Sequence, residues 1–265
     1  MSAALREDLY RHYMQWSEHS ERTRAWSVFR DIPWSEAASA PRDADLALSA
    51  ETFLGVEMFL PDYLAQGAAL WRDDVGQALY AASWGAEEAQ HSIALREYLL
   101  RTDQRTLDEV HRFERLLTRH RWTLPFLEPR RMVIYGALQE QTTFVNYTRH
   151  ARHAADRGHE LLAGIYRLIA RDEIAHCRFQ ERVIELMLAE DERGTLADLG
   201  HVFHHFAMPM DHVFDDDTHR REVFLQAGIT RTTFVRDVWL TMLKRLGLER
   251  RSIPRPVVAP RITAP

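Results

Sequence analysis

Six residues carry two copies of one chemical pattern. Glu57 precedes Glu88 by 31 positions, and Glu88 opens the run Glu88-x-x-His91. Glu140 precedes Glu173 by 33 positions, and Glu173 opens Glu173-x-x-His176. Residues i and i+3 of a helix share one face, with Cβ atoms about 5–6 Å apart. Each Glu-x-x-His pair can therefore grip one cation, and each lone glutamate can complete it from a neighbouring helix. Four carboxylates balance two divalent cations, and neutral imidazoles finish the set without adding charge. Oxygen and imidazole donors suit iron or manganese better than thiolate-preferring metals. One Glu-x-x-His is expected about once by chance in a chain of this size. Two of them, each preceded by a glutamate at nearly the same interval, are a pattern.

Such donors must be held by helices. Helical periodicity runs through roughly 2–21, 48–67, 71–101, 106–120, 127–157, 159–190, 194–208 and 229–247. All four glutamates fall on apolar stripes. Phe53, Leu54 and Leu60 surround Glu57; Trp84 and Leu95 flank the Glu88 motif; Val133 and Phe144 flank Glu140; Ile169 and Phe179 flank the Glu173 motif. Buried carboxylates are costly unless compensated. This donor set on apolar faces is that of ferritin-like dimetal carboxylate bundles. The sequence thus predicts one all-α domain over 1–265, a ferritin-like four-helix bundle with flanking helices. Its core is expected at about 48–190, after an irregular 22–47 broken by Pro33 and Pro41. Gly158 and Gly194 are expected at helix ends, and Ile253 to Pro265, with four prolines, as an extended tail.

The 265 residues are 46% hydrophobic, enough for a full core, and carry a net charge of −5, which argues against general nucleic-acid binding. Cys177 is the only cysteine, so no intrachain disulfide or cysteine-based metal site is expected. No apolar run approaches the ~18 residues of a membrane span, and the start, MSAALREDLYRHYMQW, lacks a signal-peptide core. A cytoplasmic protein is the expectation. The groups His201, His204, His205 and His150, His153, His159 lack a repeated carboxylate set and read as exposed or hydrogen-bonded side chains. Arg112, Arg115, Arg119, Arg121, Arg130 and Arg131 read as a solvated face able to dock an acidic partner. Cys177 reads as a small packed side chain.

From about residue 26 to 247 the sequence resembles the soluble acyl-acyl carrier protein desaturases, the stearoyl type of plants and its actinobacterial relatives. The matching elements occur in order. They are Trp26 with Pro33-Trp34, Glu57-Met-Phe-Leu-Pro61, Trp84-Gly-Ala-Glu-Glu88-Ala-Gln-His91, Gln139-Glu140-Gln141-Thr142-Thr143-Phe144 and Ala170-Arg171-Asp172-Glu173-Ile-Ala-His176. Met208-Pro209-Met210 and Leu225-Gln-Ala-Gly228-Ile229 follow.

The resemblance implies an O2-dependent enzyme that introduces a double bond into an acyl chain held on acyl carrier protein. It implies two irons, with manganese as a substitute, electrons from a ferredoxin and a homodimer. Glu57, Glu88, His91, Glu140, Glu173 and His176 would hold the metals, with Glu88 and Glu173 bridging. Asp172 would link His91 to Trp26 as an electron route, and Thr143 would help deliver protons. Three departures stand out. Gln141 replaces an arginine, Ile174-Ala175 replace Lys-Arg, and Met132 stands where the plant enzymes have a glycine on the substrate channel. The chain is also shorter than the plant enzymes and lacks their transit peptide, as expected of a bacterial protein. A pathway-specific acyl chain is as compatible with these features as a common fatty acid. Two alternatives stay open: a hydroxylase or N-oxygenase on the same metal core, and a non-enzymatic ferritin-like iron binder.

Overall fold

A computed structural model describes residues 1–209, 218–228 and 230–254, and among these there is no strand. Helix α1 (Ala3–Thr23) begins where the Ser2 side chain accepts the Leu5 N–H. Helix α2 (Ala44–Glu57) is capped by Asp43, and α4 (Val75–Arg101) by Asp74. Between them lies α3 (Leu60–Leu70), with Pro61 in its first turn. Helix α5 (Leu107–Leu117) opens with a reciprocal Thr106–Glu109 capping box. Helices α6 (Pro129–Asp156) and α7 (Glu160–Glu190) form the long antiparallel hairpin of the molecule. Helices α8 (Glu192–His205) and α9 (Thr218–Ala227) follow. The chain ends in α10 (Arg231–Thr233), a π-helical turn (Phe234–Trp239) and α11 (Leu240–Arg245), which run on directly.

The expected stretches appear with four differences. The single helix expected over 48–67 is two helices. Pro61 lacks an N–H and cannot continue a helix from residue 57, so the chain turns at Met58–Phe59 and restarts. Gly158, at φ 79°, does end α6. Gly194, in contrast, lies in the first turn of α8, where its N–H donates to Asp191; the boundary belongs to the capping aspartate. Helix α9 has no counterpart in the periodicity, because few of its residues face inward and only Arg220 and Val223 are buried. The expected single helix over 229–247 is widened by its π-helical turn. Met210, Ile229 and most of the expected C-terminal tail (255–265) lie outside the described residues.

Two apolar blocks make the core. One gathers Phe53, Leu95, Tyr98, Tyr147, Tyr166 and Ile169. The other gathers Tyr80, Val133, Leu138, Phe179, Val183 and Trp239. On α4, α6 and α7 alike, one block lies on each side of a short polar interval. Those intervals hold Glu88 and His91, Glu140, and Glu173 and His176. With Glu57 at the end of α2, the six chemical residues share one layer between two apolar halves.

Candidate metal centre and adjoining slot

Every member of the layer is buried: Glu57, Glu88, His91, Glu140, Glu173 and His176 are each no more than 5% exposed. They form two overlapping groups, Glu57–Glu88–His91–Glu173 and Glu88–Glu140–Glu173–His176. Within each group, one donor atom per residue lies within 4.8 Å of all the others. Glu88 and Glu173 belong to both groups and so sit in the middle. His91 Nδ1 lies 3.7 Å from Glu88 and 3.5 Å from Glu173. His176 Nδ1 lies 3.2 Å from Glu88 and 3.4 Å from Glu140.

The outer atoms of these side chains are tied down. His91 Nε2 meets Asp172 Oδ2 at 3.2 Å, and Trp26 Nε1 donates to the same oxygen at 2.6 Å. His176 Nε2 meets Glu87 Oε2 at 2.6 Å. Each imidazole is thus held by the acidic residue that precedes the other motif's glutamate. Arg24 joins the two holders, donating to Asp172 at 2.6 Å and to both oxygens of Glu87 at 2.8 and 2.9 Å. Trp84 Nε1 donates to Glu140 at 3.0 Å, and the Tyr147 hydroxyl to Glu57 at 2.5 Å. The single Thr143 hydroxyl hydrogen has three acceptors in range: the carbonyls of Gln139 and Glu140, and Glu173 Oε2 at 2.9 Å.

The inner atoms are not tied. Glu88 Oε1, Glu173 Oε1, His91 Nδ1 and His176 Nδ1 are buried without hydrogen-bond partners among the described residues. Buried polar atoms are normally satisfied, and four unpaired donors so close together fit a dimetal site. The electrostatics agree. Burial, followed by the Glu88 charge, pushes Glu57 well above the usual carboxylate range. Burial, Glu88 and Glu140 do the same to Glu173. Burial opposes charge on His91, yet Asp172 and Glu88 outweigh it and raise the imidazole to about 10. Glu140, Glu87 and Glu88 likewise raise His176 against its burial. The cluster draws in positive charge, as a dimetal site must.

Beside Glu140 opens a mainly apolar slot between α3, α4, α6 and the 122–124 segment. Tyr63, Leu64, Trp71, Trp84, Trp122 and Met132 line it. Of the residues singled out from sequence, Asp172 and Thr143 hydrogen-bond His91 and Glu173 of the cluster, Trp26 reaches it through Asp172, and Met132 lies on the slot wall. Glu87, Arg24, Tyr147 and the Trp84 contact were not singled out. Glu87 had a signal, being the acidic partner of Asp172 in the repeated motif.

Other groups separate from this centre. His150 is buried against Ser49 Oγ at 2.8 Å, and His205 Nδ1 bonds the His201 carbonyl of its own helix. Cys177 is fully buried, within 3.6 Å of Gln141 and 3.4 Å of Arg245. The expected solvated arginine face divides. Arg130 and Arg131 are half-buried and pinned to Asp191 and Asp198, whereas Arg112, Arg115, Arg119 and Arg121 are exposed. No described helix is long and apolar enough to cross a membrane.

Comparison with known proteins agrees with this geometry. Over 155 residues the chain is 30% identical to stearoyl-[acyl-carrier-protein] 9-desaturase 2 of rice, covering 55% of this chain and 39% of that protein. It therefore spans about two fifths of that relative's length. A putative acyl-ACP desaturase, DesA2, of Mycobacterium tuberculosis superposes with a TM-score of 0.68 at 19% identity, covering 94% of this chain and 97% of that one. An R2-like ligand-binding oxidase of Sulfolobus acidocaldarius superposes at 0.56 with 14% identity, covering 92% of each chain. The fold is ferritin-like. A sequence profile for fatty acid desaturase matches residues 34–235, well over half the chain, and the protein belongs to the fatty acid desaturase family.

Proposed function

We propose that the protein is an O2-dependent dimetal oxidoreductase that desaturates an acyl chain presented on acyl carrier protein. The observation that carries this reading is the pair of overlapping Glu/His groups with an apolar slot beside Glu140. Glu57 and His91 would hold one ion, Glu140 and His176 the other, and Glu88 and Glu173 both. Iron is the first candidate and manganese its substitute; R2-like ligand-binding oxidases have been solved with Fe/Fe and Mn/Fe cofactors. When bound, the metals supply the redox chemistry that lets dioxygen act on an unactivated C–H bond.

The chain's own residues supply the rest. Asp172 and Glu87 fix both imidazoles with Nδ1 facing inward, a role that usually governs ligand basicity. Trp26, Asp172 and His91 form a continuous hydrogen-bonded path to the cluster, suited to electrons from a ferredoxin-type donor. Thr143 keeps a hydroxyl proton on Oγ1 at the Glu173 carboxylate. The apolar walls exclude water and align two neighbouring carbons of the chain with the cluster. Overall, –CH2–CH2– with O2, two electrons and two protons gives –CH=CH– and two waters. Metal-loaded protein with reductant, O2 and carrier-bound acyl chains should yield a product lighter by two hydrogens. A gain of oxygen would instead assign the hydroxylase reading.

A further inference from the structure

One feature of the surface is used by neither the bundle nor the metal cluster. Between residues 110 and 121 the only acidic residue is Glu114, and it is paired with Arg96 at 2.8 Å. Arg112 and Arg115, at i and i+3, lie on the side of α5 opposite the buried Val110, Phe113 and Leu117, and Arg119 stands in the turn just past the Thr118 C-cap. Arg121 follows in the loop. All four are exposed, and none forms an ion pair with a described residue.

This stretch ends at the slot. Trp122, next to Arg121, is a wall residue. Its segment is clamped to α3: the Trp122 N–H donates to Asp62 at 3.0 Å, and Gln66 bonds Trp122 O at 2.6 Å and the Leu124 N–H at 2.9 Å. The exposed arginines thus lie on the stretch of chain that leads directly into the slot wall, with Arg121 next to it. The protein as a whole is acidic, at −5, so an acidic partner would be repelled elsewhere and drawn here.

We propose that Arg112, Arg115, Arg119 and Arg121 are the docking surface for an acidic carrier protein that delivers its acyl chain into this slot, a proposal that rests on the function proposed above. Four exposed guanidinium groups within ten residues, the last beside the slot wall, fit a partner surface rich in carboxylates. An acidic electron donor has no need of the slot, which is why the carrier is the occupant favoured.

The test uses the metal-loaded protein and a labelled acyl carrier protein. Binding is read by fluorescence anisotropy, and turnover is compared for carrier-bound chains and for the same chain on a small neutral thioester. The variant Arg115→Glu/Arg119→Glu/Arg121→Glu should weaken carrier binding and raise the carrier-substrate KM by about tenfold or more. Raising ionic strength should weaken wild-type binding and leave the variant little changed. Turnover of the neutral thioester should stay the same, Arg6→Glu on α1 should have no effect, and the triple lysine variant should retain most of the binding. The proposal is overturned if the wild-type protein does not bind the carrier. It is also overturned if the arginine variant binds it equally well, slows only reduction by the electron donor, or loses only binding to anionic vesicles. Because binding is read without turnover, a protein that docks the carrier through these arginines yet desaturates nothing would refute the proposed reaction and keep the docking site.

Discussion

Arg24 should be the most consequential residue that touches no metal. It is 7% exposed, and its guanidinium is shared between Asp172, 1% exposed at the side chain, and Glu87, 17% exposed. It also donates to Ser20 Oγ at 2.7 Å. Burial alone would raise Glu87, but hydrogen bonds from His176 and Arg24 outweigh it and hold the carboxyl below its usual value. Arg24→Met keeps the volume and removes the cation, leaving two inward-facing carboxylates without their shared partner. Breaking a buried ion pair in this way costs about 3–5 kcal/mol. For a chain of this size each kcal/mol is worth roughly 2–4 °C, so the melting temperature should fall by about 10 °C. Both imidazoles would lose part of what orients them, and metal affinity should drop about 10–100-fold. Arg24→Lys should recover only part of both effects, because an ammonium cannot fork between two carboxylates. Calorimetry and metal titration read the two outcomes. An Arg24→Met protein that melts within about 2 °C of wild type and keeps its metal would show that the network is ornamental.

Three further outcomes follow from the same structure. Glu140→Ala or His176→Ala should lower metal content by plasma emission spectroscopy and abolish turnover, and full occupancy in both would remove the ligand assignment. Met132→Gly should open the slot wall and extend the accepted chain by a few carbons. At about 0.8 kcal/mol per methylene, three extra methylenes shift preference more than tenfold, and an unchanged chain-length profile would place Met132 in a packing role only. His150 is buried and its imidazole is held down to about 3, chiefly by burial and then by His153. The unfolded chain binds that proton near pH 6.5 and the folded one does not, so stability falls with pH below 6.5. Relative to His150→Gln, the wild type should lose about 2 kcal/mol between pH 6.5 and 5, and parallel stability curves would contradict this.

Much of the site is legible in the sequence because metal chemistry and helix geometry constrain the same residues. A Glu-x-x-His must occupy one face, and that face must be apolar for the cluster to be buried; both conditions can be read from the chain. The break at Met58–Phe59 is less visible, since Phe59, Leu60 and Leu64 keep the apolar rhythm across it while only Pro61 signals the stop. Arg24 is invisible to periodicity. It follows the last residue of α1, 63 positions from Glu87 and 148 from Asp172, and only the packing of α1 against α4 and α7 brings them together. The arginine cluster reads as one run of charge, yet Asp191 and Asp198, far along the chain, claim two of its members. Tyr147 lies two turns beyond Glu140 and looks like core; its hydroxyl gains a partner only because α2 ends with Glu57 opposite it.

The reaction itself is the most direct test. Iron-loaded protein, reduced without oxygen and then exposed to O2 with a series of carrier-bound acyl chains, should release a chain lighter by two hydrogens, with its double bond at one position. Chains recovered unaltered across the series, or carrying an added oxygen, would contradict desaturation.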